Sequence, residues 1–142
     1  NNNLAKVIIQ TRYPNDENLK KIKTGDYQIV AERCLKTNKA LDIPPYSNIS
    51  ILRAISPNPQ IGIKFLDKAH KILKNKKNVD VIGPFPSIPF KVKGNTRNHL
   101  VIKSNTKTYL NRVLKFLTKE IEKWPETKKV KWSYDIDPYD MS

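Results

Sequence analysis

A single cysteine, Cys34, stands in 142 residues. It excludes an internal disulfide and a cysteine-cluster zinc site, and suits a reducing cytosol. No apolar run approaches the ~18 residues that a membrane span needs, and nothing has the layout of a secretory leader. Carboxylates are scarce: 13 Asp and Glu stand against 27 Lys and Arg, a formal net charge of +14. Such an excess points to an anionic partner, with nucleic acid first and an acidic protein segment second. An anionic membrane surface comes third, because no amphipathic Lys/Trp helix stands apart from the core. Lys and Asn are abundant throughout, so part of the charge is discounted as base composition. There is no Gly-x-x-x-x-Gly-Lys loop, no dinucleotide fingerprint, no Ser/His/Asp arrangement and no internal repeat.

What is present suffices for one core, with 38% hydrophobic residues and a length that suits one domain plus a fragment of a neighbouring unit. The opening Asn1-Asn2-Asn3, without a methionine, leads to the expectation of a piece of something longer. Leu4 to Gln10 contains Val7-Ile8-Ile9, a continuous apolar run that predicts a strand covered on both faces. Tyr13-Pro14-Asn15-Asp16 reads as a turn into a short helix stopped by Gly25. Asp26 then caps a second helix running to about Leu41. Pro44-Pro45 marks a boundary between residues 1–44 and 45–142.

Beyond that boundary the periodicities alternate regularly. Ile49 to Ala54 reads as a strand. Asn58 with Pro59 opens a helix whose Phe65, Leu66, Ala69, Ile72 and Leu73 share a face. Val79 to Ile82 is a short strand, and Leu100 to Ile102 returns as its hairpin partner. Between them, Pro84, Pro86 and Pro89 predict an extended, proline-stiffened tongue. Asn105-Thr106 opens a second helix, with Leu110, Val113, Leu114, Leu117 and Ile121 on one face. Val130, Trp132, Tyr134 and Ile136 alternate as a last strand. The order β-α-β-β-α-β predicts an α+β ferredoxin-like plait, a four-stranded antiparallel sheet with two helices on one face.

The tongue carries Lys91, Lys93 and Arg97, with Lys103 on the returning strand. These four are the candidate DNA contacts, because a stiffened loop loses little entropy in presenting cations to phosphates; the alternative is a solvated loop with ordinary surface lysines. Lys107, Asn111 and Lys115 recur every four residues on the second helix, near its positive end, and form either an ordinary solvated flank or a candidate dock for an acidic peptide. His70 and His99 are expected at the surface or an edge. Asp135, Asp137 and Asp140 are expected to neutralise neighbouring lysines rather than to hold a metal. Trp132 is expected in the core, while Trp124, at a helix end, is a possible base-stacking platform.

Several local patterns coincide with one family. Ile8-Ile9-Gln10-Thr11 with Pro14, Gly25-Asp26-Tyr27, Ile43-Pro44-Pro45-Tyr46, Gly83-Pro84 with Pro86, the stretch Lys91 to Arg97, and Lys129 to Pro138 resemble the carboxyl-terminal end of the bacterial primosomal replication-restart helicases, the PriA (primosomal protein N-prime) family. The resemblance spans essentially the whole chain. It implies that residues 1–44 are the end of the second helicase lobe with its connecting helices. Residues 45–142 would be a carboxyl-terminal domain similar to a small ribosomal-subunit protein. It further implies binding of forked or single-stranded DNA, and a share in docking the acidic tail of single-stranded-DNA-binding protein, among other primosome proteins in the bacterial cytoplasm. The family's ATP, Mg and Zn sites belong to residues that this chain lacks, so no cofactor and no catalysis are expected of it. Two departures stand out: Thr37-Asn38 where the family usually carries Glu-Arg, and Asn95-Thr96 where a basic or aromatic residue is usual. Arg97 matches. The alternatives are an RNA-binding or ribosome-associated plait, which lacks the aromatic pattern on its exposed strand faces, and a small enzyme, for which no acid/base pair stands out.

Overall fold

The computed structural model describes residues 7–41 and 43–138. The chain divides into two units between Ala40 and Leu41. In the first, α1 (Glu17–Thr24) is opened by the Asp16 carboxylate, which accepts from the Asn18 and Leu19 amides, and closed by Gly25 at φ 80°. That left-handed turn is one a glycine adopts without strain. α2 (Tyr27–Ala40) follows, and neither helix buries a residue. The strand expected at Val7–Gln10 is not formed: the segment is irregular, with Val7 82% and Ile8 81% exposed. A lone apolar run has no neighbouring strand here to complete its ladder. Leu4 to Lys6 and Asp140 lie outside the described residues.

The second unit is the plait. Its order is β1 (Asn48–Ser56), α3 (Pro59–Leu73), β2 (Val79–Val92), β3 (Asn95–Ser104), α4 (Lys107–Ile121), a 3-10 turn (Pro125–Lys128) and β4 (Lys131–Ile136). The sheet runs β2-β3-β1-β4, with every neighbouring pair antiparallel. This is the expected ferredoxin-like arrangement. Both helices start as their sequences predict. Asn58 accepts from the Gln60 amide with Pro59 at the first position, and Thr106 accepts from the Tyr109 amide. Period-3.6 apolar stripes then place both helices on one face of the sheet. Phe65, Leu66, Ala69 and Leu73 of α3 and Leu110, Val113, Leu114, Leu117 and Ile121 of α4 close over Leu52, Ala54, Leu100 and Ile102.

Three features differ from expectation. The tongue is not a loop, because β2 continues through the prolines and its turn is Lys93-Gly94 alone. Both turn residues have positive φ, 48° and 80°, the geometry of a two-residue type I′ hairpin turn. β2 is the edge of the sheet, where a proline's missing N–H can face away from the ladder. Its register slips between Ile82 and Phe85 and again between Pro86 and Lys91, so the strand bulges. Second, His99 is buried, only 7% exposed, because Ser87 of that bulge lies on it with Oγ 3.0 Å from Nδ1. Third, Trp124 is a core residue, edge-on to Phe65 at 5.3 Å between centroids, whereas Trp132, half-buried, packs against the core as expected. α4 ends at Ile121, Trp124 caps the 3-10 turn that Pro125 opens, and its indole is buried against the core.

Phe65 is fully buried at the junction of α3 and the Trp124 ring. Phe65→Ala should therefore cost about 3–5 kcal/mol, read as a fall in the urea midpoint at unchanged slope.

Candidate nucleic-acid interface

β strands place alternate residues on opposite faces. Since Leu52 and Ala54 of β1 and Leu100 and Ile102 of β3 meet the helices, the odd-numbered positions of β1 and β3 form the other face. The register arranges that face in rows across the strands. Lys131, Ile55 and Arg97 make the first row; Ser133, Arg53, His99 and Phe85 the second; Asp135, Ile51, Val101 and Ile82 the third; Ile49, Lys103 and Asp80 the fourth. Among the described residues, α3 and α4 lie on the opposite face. Three of its cations, Lys131, Arg97 and Arg53, gather at one end in the first two rows, and Lys103 stands apart in the fourth.

Arg53 is held by Asp135, whose Oδ2 is 3.2 Å from the guanidinium. Asp135 stands opposite Ile51, so the pair crosses diagonally over that residue's row, and Ile51 is fully buried. The Arg53 stem thus serves as cover as well as charge carrier. His99 stands beside Arg53 in the register and two residues from Arg97. Burial, reinforced by the Arg53 and Arg97 guanidinium groups, pushes its pKa below the ordinary 6.5. The ring is therefore neutral at pH 7, and it tilts against Phe85 at 5.9 Å. From the other side, His70 Nδ1 donates to the Gly83 carbonyl at 3.0 Å, pinning the start of the bulge to α3. Gly83 has φ 114°, and a Cβ there would come within 3.2 Å of the His99 carbonyl oxygen. Only glycine lets the edge strand pass so close.

The four candidate DNA contacts do not form one patch. Arg97 lies in the basic end row. Lys103, six residues along the same strand and so roughly 20 Å away, stands opposite Asp80 and Ile49. Lys91 stands opposite Thr96, so the pleat sets it on the face away from Arg97, and Lys93 forms the turn itself. Arg53 and Lys131 complete the basic rows, and sequence inspection missed both. The signal was the alternation of β1 and β4, which assigns Arg53 and Lys131 to the face that Leu52 and Trp132 avoid. Between Val81 and Lys119 there is no carboxylate at all, so any acid that meets a cation of this run, as Asp137 meets Lys107, comes from elsewhere in the chain.

On α4, Lys107, Asn111 and Lys115 are all exposed. Lys107 Nζ is 2.8 Å from Asp137 Oδ2, an exposed pair of the kind worth about 0–1 kcal/mol. The neighbouring Phe116 is partly exposed, with Lys76 Nζ 4.0 Å above its ring. Among the described residues no group of three or more His, Cys, Asp or Glu is placed to hold a metal ion, and no helix is long and apolar enough to cross a membrane.

The depressed His99 pKa has a stability consequence. The unfolded chain takes up the proton first, so the contribution of neutral His99 is complete above about pH 6.5 and is lost as pH falls through the lower folded value. Urea midpoints at pH 7.5 and 5.5 should drop for the parent and drop less for His99→Gln. Equal drops would mean that His99 protonates as freely in the folded protein as in the unfolded one.

Comparison with known proteins places the chain in a family. The family model "Primosomal protein N C-terminal domain" matches residues 39–139. The chain is 32% identical, over 94% of its length, to the Replication restart protein PriA of Buchnera aphidicola subsp. Acyrthosiphon pisum. It is 34% identical, over 82% of its length, to the protein of that name from Thermotoga maritima. It spans only 19% and 15% of these relatives. Among solved structures, the de novo designed protein Foldit4 matches 66% of the chain and 99% of its own length, with a TM-score of 0.50 at 14% identity, a likeness of fold alone. With a plait of the expected order and a family model covering most of its residues, the chain belongs to the family of primosomal protein N carboxyl-terminal domains.

Proposed function

We propose that the chain is the DNA-binding and protein-docking end of a replication-restart protein, with no catalysis of its own. Residues 45–142 are the binding domain. Residues 1–44 are the end of a helicase lobe whose ATP, Mg and Zn sites lie elsewhere in the parent protein. The protein works in the bacterial cytoplasm on forked or single-stranded DNA, beside other primosome proteins. The observation that carries this reading is the basic end of the open sheet face, where Arg97, Arg53 and Lys131 stand on three adjacent strands. Cations fixed on strands meet phosphates with little further ordering, and such contacts position a nucleic acid without reading its sequence.

Fluorescence anisotropy of forked DNA against salt concentration tests the reading. Arg97→Ala should flatten the slope of log K against log[salt] by roughly 0.7–0.9. Lys71→Ala, an exposed position on α3, should leave it unchanged. Equal slopes for all three proteins would remove the open face from the interface. Tighter binding of structured RNA than of forked DNA would favour a ribosome-like plait instead.

The acidic tail of single-stranded-DNA-binding protein is assigned to Lys107, Asn111 and Lys115 at the amino-terminal half of α4, where the helix dipole also favours a carboxylate. Asp137 already occupies Lys107, so an incoming carboxylate must displace it. Lys107→Glu should weaken a tail peptide about tenfold, or roughly 1.4 kcal/mol, while Asp137→Ala should tighten it a few-fold by removing the internal competitor. Calorimetric titration that gives one affinity for all three proteins would place the dock elsewhere.

A further inference from the structure

At the end of the sheet where β1 runs out, three distant parts of the chain enclose a recess of about 210 Å³. Ile55 and Pro57 form one wall, Asn95 a second, and the run Thr127–Lys131 leading into β4 the third. Lys128, Lys129 and Lys131 all line it and all are exposed. No carboxylate does. Glu126, the acid next in sequence, pairs instead with Lys68 on α3 at 3.5 Å. Across the sheet, Lys131 stands opposite Ile55 and Ile55 opposite Arg97, so a fourth cation borders the recess one strand away.

The lysines hang on a fixed backbone. Val130 is buried, the Thr127 hydroxyl donates to the Trp124 carbonyl at 2.6 Å, and the Lys129 and Val130 amides both donate to the Glu126 carbonyl.

We infer that this recess is a binding site for a phosphate group. Three lysines line one recess without a carboxylate among them, so their like charges raise the local positive potential, and a bound anion relieves it. Lysine presents a compact, rotatable charge that suits a phosphate without demanding a planar bidentate fit. Asn95 lines the recess as well; its side-chain Nδ2 donates one N–H to the Lys93 carbonyl at 3.4 Å, which leaves the second for a ligand. Size narrows the choice further. Sites for drug-sized ligands run to about 300–1,000 Å³, so this one takes a group smaller than a nucleoside. The phosphate belongs either to a nucleic-acid strand leaving the basic end of the sheet, which rests on the DNA reading above, or to a free phosphate, which does not.

The test uses the whole chain, isotope-labelled for amide NMR, titrated with inorganic phosphate, thymidine, and oligothymidylate with a 5′-hydroxyl or a 5′-phosphate. Each phosphate-bearing probe should give saturable shifts at Ile55, Asn95 and Thr127–Lys131, and thymidine should give none. The double substitution Lys128→Ala with Lys129→Ala, at exposed positions that leave the fold unchanged, should weaken inorganic phosphate at least fivefold. Equal binding of the two oligonucleotides assigns an internal strand phosphate; preference for the phosphorylated one assigns a terminal group. Saturation by inorganic phosphate with no oligonucleotide binding keeps the site and removes the DNA reading. The inference is overturned if thymidine moves the same amides, or if phosphate moves Lys71, Lys74 and Lys77 as much, which marks diffuse counter-ions. Saturation of the recess by an acidic peptide in place of phosphate overturns it as well.

Discussion

Three prolines within six positions of β2, Pro84, Pro86 and Pro89, constrain the sheet more than any other local feature. A strand so poor in donors cannot sit between two others, so it takes the edge, and β3 fills the place between it and β1. The same shortage of donors lets the register slip twice. The extra residues then arch, and Ser87 comes to lie on His99. The edge is protected from pairing with another chain by that bulge and those prolines. The open face beside it is shaped by what the bulge buries.

Electrostatics on that face follow from burial. His99 is kept neutral mainly because it is desolvated, with Arg53 and Arg97 adding to the effect. Protonating it would place a third positive charge among two guanidinium groups. Asp135 takes part of the Arg53 charge, while Arg97 and Lys131 remain at the end of the sheet, next to the lysines of the recess. The result is a polarised face, basic at one end and apolar in its middle row of Ile51, Val101 and Ile82. On the proposed reading, a phosphate-bearing partner meets the first part.

Much of the fold was legible in sequence because both helices and two of the strands carry strict periodicity. The stripes on α3 and α4 and the alternation of β1 and β4 are read directly, and the caps at Asn58 and Thr106 lie where their residue types require. The bulged strand was not legible. Proline reads as a ladder breaker, and only the sheet's completed order shows that an edge tolerates it. His99 looked exposed because its cover comes from a slip in register, which leaves no periodic trace. Trp124 was ambiguous for a similar reason, since it lies past the end of α4, where no periodicity sets its direction. Val7-Ile8-Ile9 has strand-forming residues, but a strand needs a partner, and none is among the described residues of its unit. Of the candidate site, Arg97 was legible through the basic run around Gly94. Arg53 and Lys131 required the pairing of β1 with both neighbours, which sequence does not supply.

The central claim is that DNA meets the open face of the sheet and not the helices. Amide shift mapping of the whole chain with forked DNA tests it most directly. The account predicts the largest changes at Arg53, Arg97, His99 and Lys131, with α3 positions such as Lys64 and Lys71 unaffected. Changes concentrated on α3, with the four sheet positions silent, would contradict it.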